Sequence, residues 1–391
     1  MPWKEVNVVK QRLEFVVRAM MKEEDFSQLC KEYGITPKTG YKWKQRFLEK
    51  GSKGMGDESR RPHTSAKRLA EDVVCELVRL KNIKKRWGPR KIRKIYAMNH
   101  PGEHVPSLST VSRVLEKSGL VIKKRRRREV NPERIQNRTI PRGANDLWTV
   151  DFKGWWYTTK KEKIEPLTVR DEYSKFILSI ALLEKGDISS VKREFERLFA
   201  GYGLPKMIRS DNGPPFASSV SVLGLTKLSV WWMSLGIQLD RIDPGSPQQN
   251  GSHERMHRDI AVEVEGKIAG DINAYREALE DWRKEYNNER PHEALGMKTP
   301  ASLYEKSERK YEKFDAFEYP ASFTSHMVND RGYINCHGHR VFMSNALSGY
   351  NVGLRGKRSE GWEVWFECEL LGRIDPVSFV FISVQKQRYG T

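Results

Sequence analysis

No stretch of this sequence approaches the roughly 18 consecutive apolar residues that a membrane-spanning helix needs. Residues 1–20 place Glu and Arg where a secretory signal requires an unbroken apolar run. Both absences lead to the expectation of a soluble, intracellular protein. Cysteine is scarce: Cys30, Cys75, Cys336 and Cys368 are the whole complement, with no C-x-x-C pair among them. That excludes a disulfide framework and a cysteine-based zinc knuckle, and reduced, mostly buried thiols are expected. Negative charge is sparse in one region only. Residues 1–143 hold 36 Lys and Arg against 16 Asp and Glu, a net of +20, while the rest holds 34 against 35. The excess therefore sits in the first third, as expected for a polyanion-binding arm joined to a domain with another task; nucleic acid is the natural polyanion.

The 391 residues leave room for several domains. The arm reads as two small helical units. In the first, Val9, Leu13, Val16 and Met20 recur at helical spacing, a short helix follows near Phe26 to Glu32, and Tyr33-Gly34-Ile35 forms a tight turn. Thr36 is placed to cap the next helix, Pro37 suits its first turn, and Trp43 with Phe47 faces the core. The opposite face carries Lys38, Thr39, Lys42, Gln45 and Arg46, the parts of a helix-turn-helix that inserts its last helix into the DNA major groove. The second unit repeats this logic. Leu69, Val73, Leu77 and Leu80 line one helix, Gly88-Pro89 opens another, and a third buries Leu108, Val111 and Leu115 while presenting Thr110, Ser112, Arg113 and Lys117. Residues 51–64, rich in Gly, Ser and charge, read as a linker. Then come Lys123, Lys124, Arg125, Arg126, Arg127 and Arg128 without interruption, a basic tether suited to tracking phosphates.

Beyond residue 144 the pattern changes. Trp148 to Phe152, Ile164 to Val169 and Phe176 to Leu183 read as strands, the last nearly continuous in apolar residues and so expected at a central position. A helix near Ser190 to Ala200, a strand ending on Asp211, a strand at Ile237 to Ile242 and a helix with Met256, Ile260, Val264 and Ile268 at every fourth residue follow. Such alternation predicts a mixed sheet with helices packed on it. Asp151 falls inside a strand between Val150 and Phe152, Asp211 at a strand end, and Glu254 in an early turn of the long helix. Carboxylates in such places need compensation. Three of them converging form a hard, all-oxygen site suited to Mg²⁺ or Mn²⁺, and two such ions serve phosphoryl transfer.

The segments Trp148-Thr149-Val150-Asp151, Ser210-Asp211-Asn212-Gly213 and Gln249-Asn250-Gly251-Ser252-His253-Glu254-Arg255 resemble the three signatures of the integrase-type transposases, which include bacterial insertion-sequence transposases and retroviral integrases. Tyr286 to Gly296, followed by Thr299-Pro300, resembles the stretch that closes this core in bacterial members. The resemblance covers about residues 145–304. It implies an RNase H-like fold and catalysis by Asp151, Asp211 and Glu254 with two Mg²⁺ or Mn²⁺ ions per site. It further implies cleavage that exposes a 3′-hydroxyl, and attack by that hydroxyl on target DNA. Arg255 and Arg258 are candidate phosphate contacts on the same helix. Two departures stand out: Asp211 and Glu254 lie 43 residues apart, longer than is usual in the group, with residues 220–228 as the insertion, and no His/His/Cys/Cys zinc module precedes the core.

His253-Glu254-Arg255-Met256-His257 also fits H-E-x-x-H, the zinc metalloprotease pattern. It leaves Asp151, Asp211 and the basic arm without a task, so His253 and His257 read as packing or phosphate-contacting residues. The last segment, about residues 321–391, is dense in short strands punctuated by Asn, Gly and Asp and predicts a small β-barrel. Integrase-like enzymes often end in an SH3-like barrel, which by resemblance implies DNA contact or subunit assembly. Cys336, His337 and His339 read as a turn between two strands rather than a metal cluster.

The expected organisation is multidomain, with tandem all-α helix-turn-helix domains, an α/β RNase H-like core and a C-terminal SH3-like barrel. The boundaries are 1–52, a linker over 53–65, 66–122, a basic linker over 123–143, 144–305 and 320–391. Expected partners are double-stranded DNA, both terminal inverted repeats and target, and further copies of the chain, because cutting two ends together needs at least two active sites. The expected location is cytoplasmic and nucleoid-associated in a bacterium. A DNA-binding regulator with an inactive core and a nuclease that hydrolyses without joining are the alternatives.

Overall fold

Side-chain caps set the helices of the amino-terminal region. The structure, a computed structural model, describes residues 7–58, 69–121, 139–183, 185–218, 221–242, 250–312, 317–357 and 359–384. The tether Lys123 to Arg128 lies outside them. The chain divides into two compact units, Met1–Val73 and Val74–Thr391. In the first, α1 (Val8–Met21) is capped by Asn7, α2 (Phe26–Glu32) by Asp25 and α3 (Pro37–Lys50) by Thr36, with Pro37 at its first position. Gly34, at φ +66°, makes the turn between α2 and α3. Phe15, Val16, Leu29, Cys30 and Trp43 form the core. Val9 and Met20, expected there, are exposed, because the buried stripe of α1 runs through Phe15, Val16 and Ala19 instead. Gly40 is required by close packing: a Cβ there would lie 2.7 Å from Cys30 Sγ and 2.9 Å from Phe15 Cζ. The expected linker also starts too early. Gly51–Met55 is a 3-10 turn whose Met55 is fully buried and accepts from Arg12 through its carbonyl.

The second unit begins within α4 (Glu71–Ile83) and continues through α5 (Pro89–Asn99) and α6 (Leu108–Lys117), the last capped by Ser107. Leu77, Leu80, Trp87, Ile92, Tyr96, Val111 and Leu115 are buried, whereas Leu108, expected inside, is 36% exposed at the first position of α6.

A five-stranded sheet follows: β1 (Leu147–Phe152), β4 (Pro166–Asp171), β5 (Ile177–Leu182), β6 (Met207–Ser210) and β7 (Gln238–Arg241), with a small hairpin, β2 (Trp156–Tyr157) and β3 (Lys163–Ile164), between the first two. The order is β5-β4-β1-β6-β7, with β1 antiparallel to β4 and parallel to β6. The mixed sheet is as expected, but β5 is an edge strand. Its apolar run is explained by what covers the edge. α10 (Ile272–Asn288) offers Asn287, whose amide accepts from Ile177 N–H at 2.9 Å and donates to Ile177 C=O at 2.9 Å, replacing the missing strand. One sheet face packs on α7 (Ile188–Tyr202) and α8 (Lys227–Ser234) through Trp148, Val169, Phe195, Phe199 and Trp232. Elsewhere, α9 (Gly251–Glu263) and α10 share a second core through Met256, Ile260, Tyr275 and Leu279.

The C-terminal region holds β8 (Thr324–Met327), β9 (Tyr333–Cys336), β10 (His339–Phe342), β11 (Asn351–Lys357), β12 (Gly361–Phe366), β13 (Glu369–Ile374) and β14 (Phe381–Ser383). The strand richness is as read from the sequence; the closed SH3-like barrel is not. The sheet β14-β13-β12-β11-β8 stays open, with β10-β9 as a separate hairpin. Its apolar residues are covered instead by Leu225, Val230 and Met233 from the α8 region, so closure is not needed to shield them. Cys336 ends β9, and His337 (φ +52°) with Gly338 makes the hairpin turn. Cys30 and Cys336 are buried as expected, but Cys75 and Cys368 are exposed. No helix among the described residues is long and apolar enough to cross a membrane.

Candidate active site

The sheet order sets the site. β1 carries Asp151 and is flanked by β4 and β6, and Asp211 follows β6 directly. α9 then brings Glu254 in its first turn. Burial pushes the Asp151 carboxyl up, and Asp211 and then Glu254 push it further, to about 7. Burial also raises Asp211, partly offset by the Gly213 N–H, and its Oδ1 is buried with no hydrogen-bond partner among the described residues. A side chain at Gly213 would stand 3.1 Å from Asp211 Oδ2, so glycine keeps the space beside that carboxylate clear. Glu254 is exposed, as are Arg255 and Arg258. Asp211 thus acts on Asp151 electrostatically, and Glu254 acts on it more weakly. No three His, Cys, Asp or Glu side chains among the described residues are grouped closely enough to hold a metal ion.

What surrounds Asp151 is polar but, among the described residues, carries no cation to match it. Asn250, at the start of α9, makes no capping bond; its Nδ2 donates to Asp151 Oδ2 at 3.2 Å instead. Thr168 donates its hydroxyl to Asp151 C=O at 2.9 Å and contacts His253 Nε2 at 2.5 Å and His257 Nε2 at 2.7 Å. A hydroxyl has one proton, so with it on Asp151 C=O both Nε2 atoms must donate. His253 Nδ1 then accepts from Thr149 at 2.9 Å, and His257 Nδ1 stands 3.9 Å from Asp151 Oδ2. Burial holds both rings neutral: His253 well below its usual range, and His257 at about 3, lowered further by Lys153 and Arg170. The His257–Asp151 approach is therefore no salt bridge. The zinc reading also fails here, because both ring nitrogens of His253 are engaged by threonines.

A buried clamp holds the start of α9. Arg170, 1% exposed, donates to Glu172 Oε2 at 2.6 Å, to Ser252 C=O at 2.9 Å and to Ser252 Oγ at 2.6 Å. Glu172, 3% exposed, also receives Lys175 at 2.9 Å. Although burial opposes it, Arg170 and Lys175 hold Glu172 at about 2. Ser252 is two residues from Glu254, so the clamp positions the third carboxylate. Sequence reading missed Arg170, Glu172, Ser252 and Asn250. The signal available was Arg170-Asp171-Glu172, three charges closing an otherwise apolar strand.

Of the expected DNA contacts, Lys38, Lys42 and Gln45 are exposed on α3, with Gln45 donating to Glu49; Thr39 pairs with Thr36, and Arg46 with Glu58 at 2.6 Å. On α6, Arg113 and Lys117 are exposed, while Thr110 joins the Ser107 cap and Ser112 bonds Leu108 C=O.

The integrase core domain model matches residues 141–247 and, in a second form, 235–300. A helix-turn-helix domain matches 11–63 and a homeodomain-like domain 39–115. An uncharacterized protein of insertion element IS407 from Burkholderia multivorans is 26% identical over 60% of this chain and 80% of its own length. An uncharacterized protein of insertion element IS476 from Xanthomonas euvesicatoria is 26% identical over 59% of this chain and 64% of its own. Among solved structures, the HTLV-2 integrase catalytic core domain in complex with magnesium is 21% identical, covering 42% of this chain and 99% of that one at a TM-score of 0.30. With an integrase core matched after helix-turn-helix regions and relatives encoded by insertion elements, this chain is similar to the insertion-sequence type of integrases and transposases.

Proposed function

We propose that this chain cuts DNA at the ends of an element and joins the exposed 3′-hydroxyls to target DNA, with Asp151, Asp211 and Glu254 as its catalytic carboxylates. One observation carries the reading: Asp151 has two further carboxylates acting on it, which with burial raise it to about 7, and no cation beside it among the described residues. Buried Glu172 is the contrast, since Arg170 and Lys175 match its charge. The deficit fits Mg²⁺ or Mn²⁺, two ions per site, since the donors are all oxygen, Asp211 Oδ1 has no partner among the described residues and Gly213 leaves space beside it. Such ions supply the charge that makes water or a 3′-hydroxyl acidic and stabilises the leaving oxygen.

The chain's own residues do the rest. Asp151 and Asp211 hold the charge in place from adjacent strands, and Asn250 directs Asp151 Oδ2. Glu254 enters from solvent on a helix turn anchored through Ser252. Arg255 and Arg258, exposed on that helix, take phosphates. Lys38, Thr39, Lys42, Gln45 and Arg46 read one part of the terminal repeat in the major groove, Thr110, Ser112, Arg113 and Lys117 another, and residues 123–128 follow the backbone. No protein nucleophile is needed, and a homodimer or tetramer on DNA brings two ends together.

Labelled duplexes carrying the element ends, incubated with Mg²⁺ and target DNA, test the proposal. The expected products are 3′-hydroxyl ends and joined strands, both lost in Asp211→Asn while duplex affinity stays within a few fold. Joining that survives Asp211→Asn refutes the carboxylate assignment. Cuts with no joined product indicate a hydrolysing nuclease.

A further inference from the structure

Four residues beyond Asp151, the hairpin of β2 and β3 presents two aromatic rings to solvent. Trp155 is 57% exposed and Tyr157 56% exposed, and their rings meet edge to face at 5.4 Å. Side chains alternate across a strand, so the residue between them points the other way. Trp156 is buried, opposite Ile164 in the register and against Tyr275 at 6.1 Å. The hairpin is tied down on its outer side as well. Thr159 donates to Gly270 C=O at 2.8 Å, Lys160 pairs with Asp271 at 2.9 Å, and Lys153 with Glu265 at 2.5 Å. The two outward rings therefore sit on a rigid support. Nothing among the described residues covers them.

Two lysines lie beside them. Lys163 faces Tyr157 in the register, lies 5.7 Å from the Trp155 ring and also pairs with Glu165 at 3.1 Å, while the Lys161 side chain at the hairpin tip has no hydrogen-bond or ion-pair partner among the described residues and carries the unmatched charge. A solvent-facing aromatic pair rimmed by lysines suits a ligand with a flat π face and a phosphate attached. Four residues of chain span at most about 14 Å and six about 21 Å, so Trp155 lies within about four stacked base steps of Asp151 and Tyr157 within about six. We propose that Trp155 and Tyr157 form a stacking platform for an unpaired nucleobase of the DNA strand held in the active site, with Lys161 and Lys163 on its phosphates. Each ring takes a base face whatever the sequence, because every base has one. A platform of this kind beside the reacting carboxylates holds the strand once its pairing is opened. The inference rests on reading the chain as a DNA-acting enzyme and adds which form of DNA this face takes.

The test uses the full chain carrying Asp211→Asn, so that cutting does not interfere, and a duplex with a short single-stranded overhang containing 5-iododeoxyuridine. Ultraviolet cross-linking followed by peptide mapping should place the adduct on Trp155 or Tyr157. Trp155→Ala with Tyr157→Ala should lower affinity for the overhang duplex roughly tenfold or more relative to a blunt duplex, and Trp155→Phe with Tyr157→Phe should restore most of it. Both positions are exposed, so folding is checked simply by unchanged melting of the variants. Cross-links confined to the helical units, or equal affinities for the two duplexes in all variants, overturn the proposal. A change in sedimentation of the DNA-free alanine variant, with cross-linking unaltered, overturns it in favour of a contact between copies of the chain. Failure to bind any duplex instead defeats the broader reading of the chain as DNA-acting.

Discussion

Glu172→Gln should make the unit containing the sheet unfold more easily by about 3 kcal/mol at pH 7, out of proportion to a change of one atom. The carboxylate is almost wholly buried and receives Arg170, Lys175 and Ser252. Arg170 and Lys175 hold its pKa at about 2 against an ordinary 4.5. A carboxyl with a depressed folded value contributes stability above its unfolded pKa and loses it as pH falls toward the folded one. That difference corresponds to about 3 kcal/mol, in line with roughly 3–5 kcal/mol for removing one partner of a buried ion pair. Glutamine keeps the shape and leaves the Arg170 guanidinium buried without a matching charge. For a unit spanning Val74–Thr391 the loss is roughly 4–5 °C in melting temperature. Calorimetry of the full chain at pH 7 and at steps below pH 4.5 reads it, and the gap between variant and parent should close as the medium becomes more acidic. Melting within about 2 °C of the parent at pH 7 refutes the electrostatic reasoning. Because the clamp ends on Ser252, the variant should also need more Mn²⁺ to reach half-saturation, measured by titration calorimetry without DNA.

Further outcomes follow from other parts of the molecule. Asp151 has a raised folded pKa, about 7, so it binds its proton more tightly when folded; stability of the metal-free protein should fall between about pH 4 and pH 7 and then level off. Urea unfolding should show that slope reduced in Asp151→Asn, and an identical slope would contradict the site's electrostatics. Mn²⁺ affinity should rise over the same interval as the proton is displaced, detectable as proton release in calorimetry in two buffers. Gly40→Ala should destabilise the first helical unit by about 1–3 kcal/mol, since its new methyl meets Cys30 and Phe15; denaturation followed by circular dichroism with parent-like stability would show that α3 can move away. Zinc should leave melting unchanged, because His253 has no free ring nitrogen, and a stabilising zinc shift abolished by His253→Ala would revive the metalloprotease pattern.

Much of the fold was legible because it rests on local rules. The cap at Thr36, the turn at Gly34 and the apolar periodicities are short-range features that a linear reading can see. Errors arose where one element's environment depends on another. The apolar run of β5 suggested a centre, yet it lies at an edge covered by Asn287, which is 110 residues away. The C-terminal strands were visible, but their failure to close depends on cover from Leu225, Val230 and Met233. Met55 looked like linker because glycine and charge surround it, and it is buried because α1 and α3 happen to leave a gap for it.

By itself the sequence determined the division into a basic helical part and a near-neutral α/β part, and it singled out three acidic residues among 51, since charge and residue spacing survive without coordinates. Only the tertiary structure decided that Asp151 has carboxylates and neutral groups around it, that His253 is spent on threonines, and that Arg170 and Glu172 grip the helix bearing Glu254. Those are properties of the field and of donor and acceptor matching among residues roughly 40 to 100 positions apart, and they come into being when β1, β4, β6 and α9 pack together.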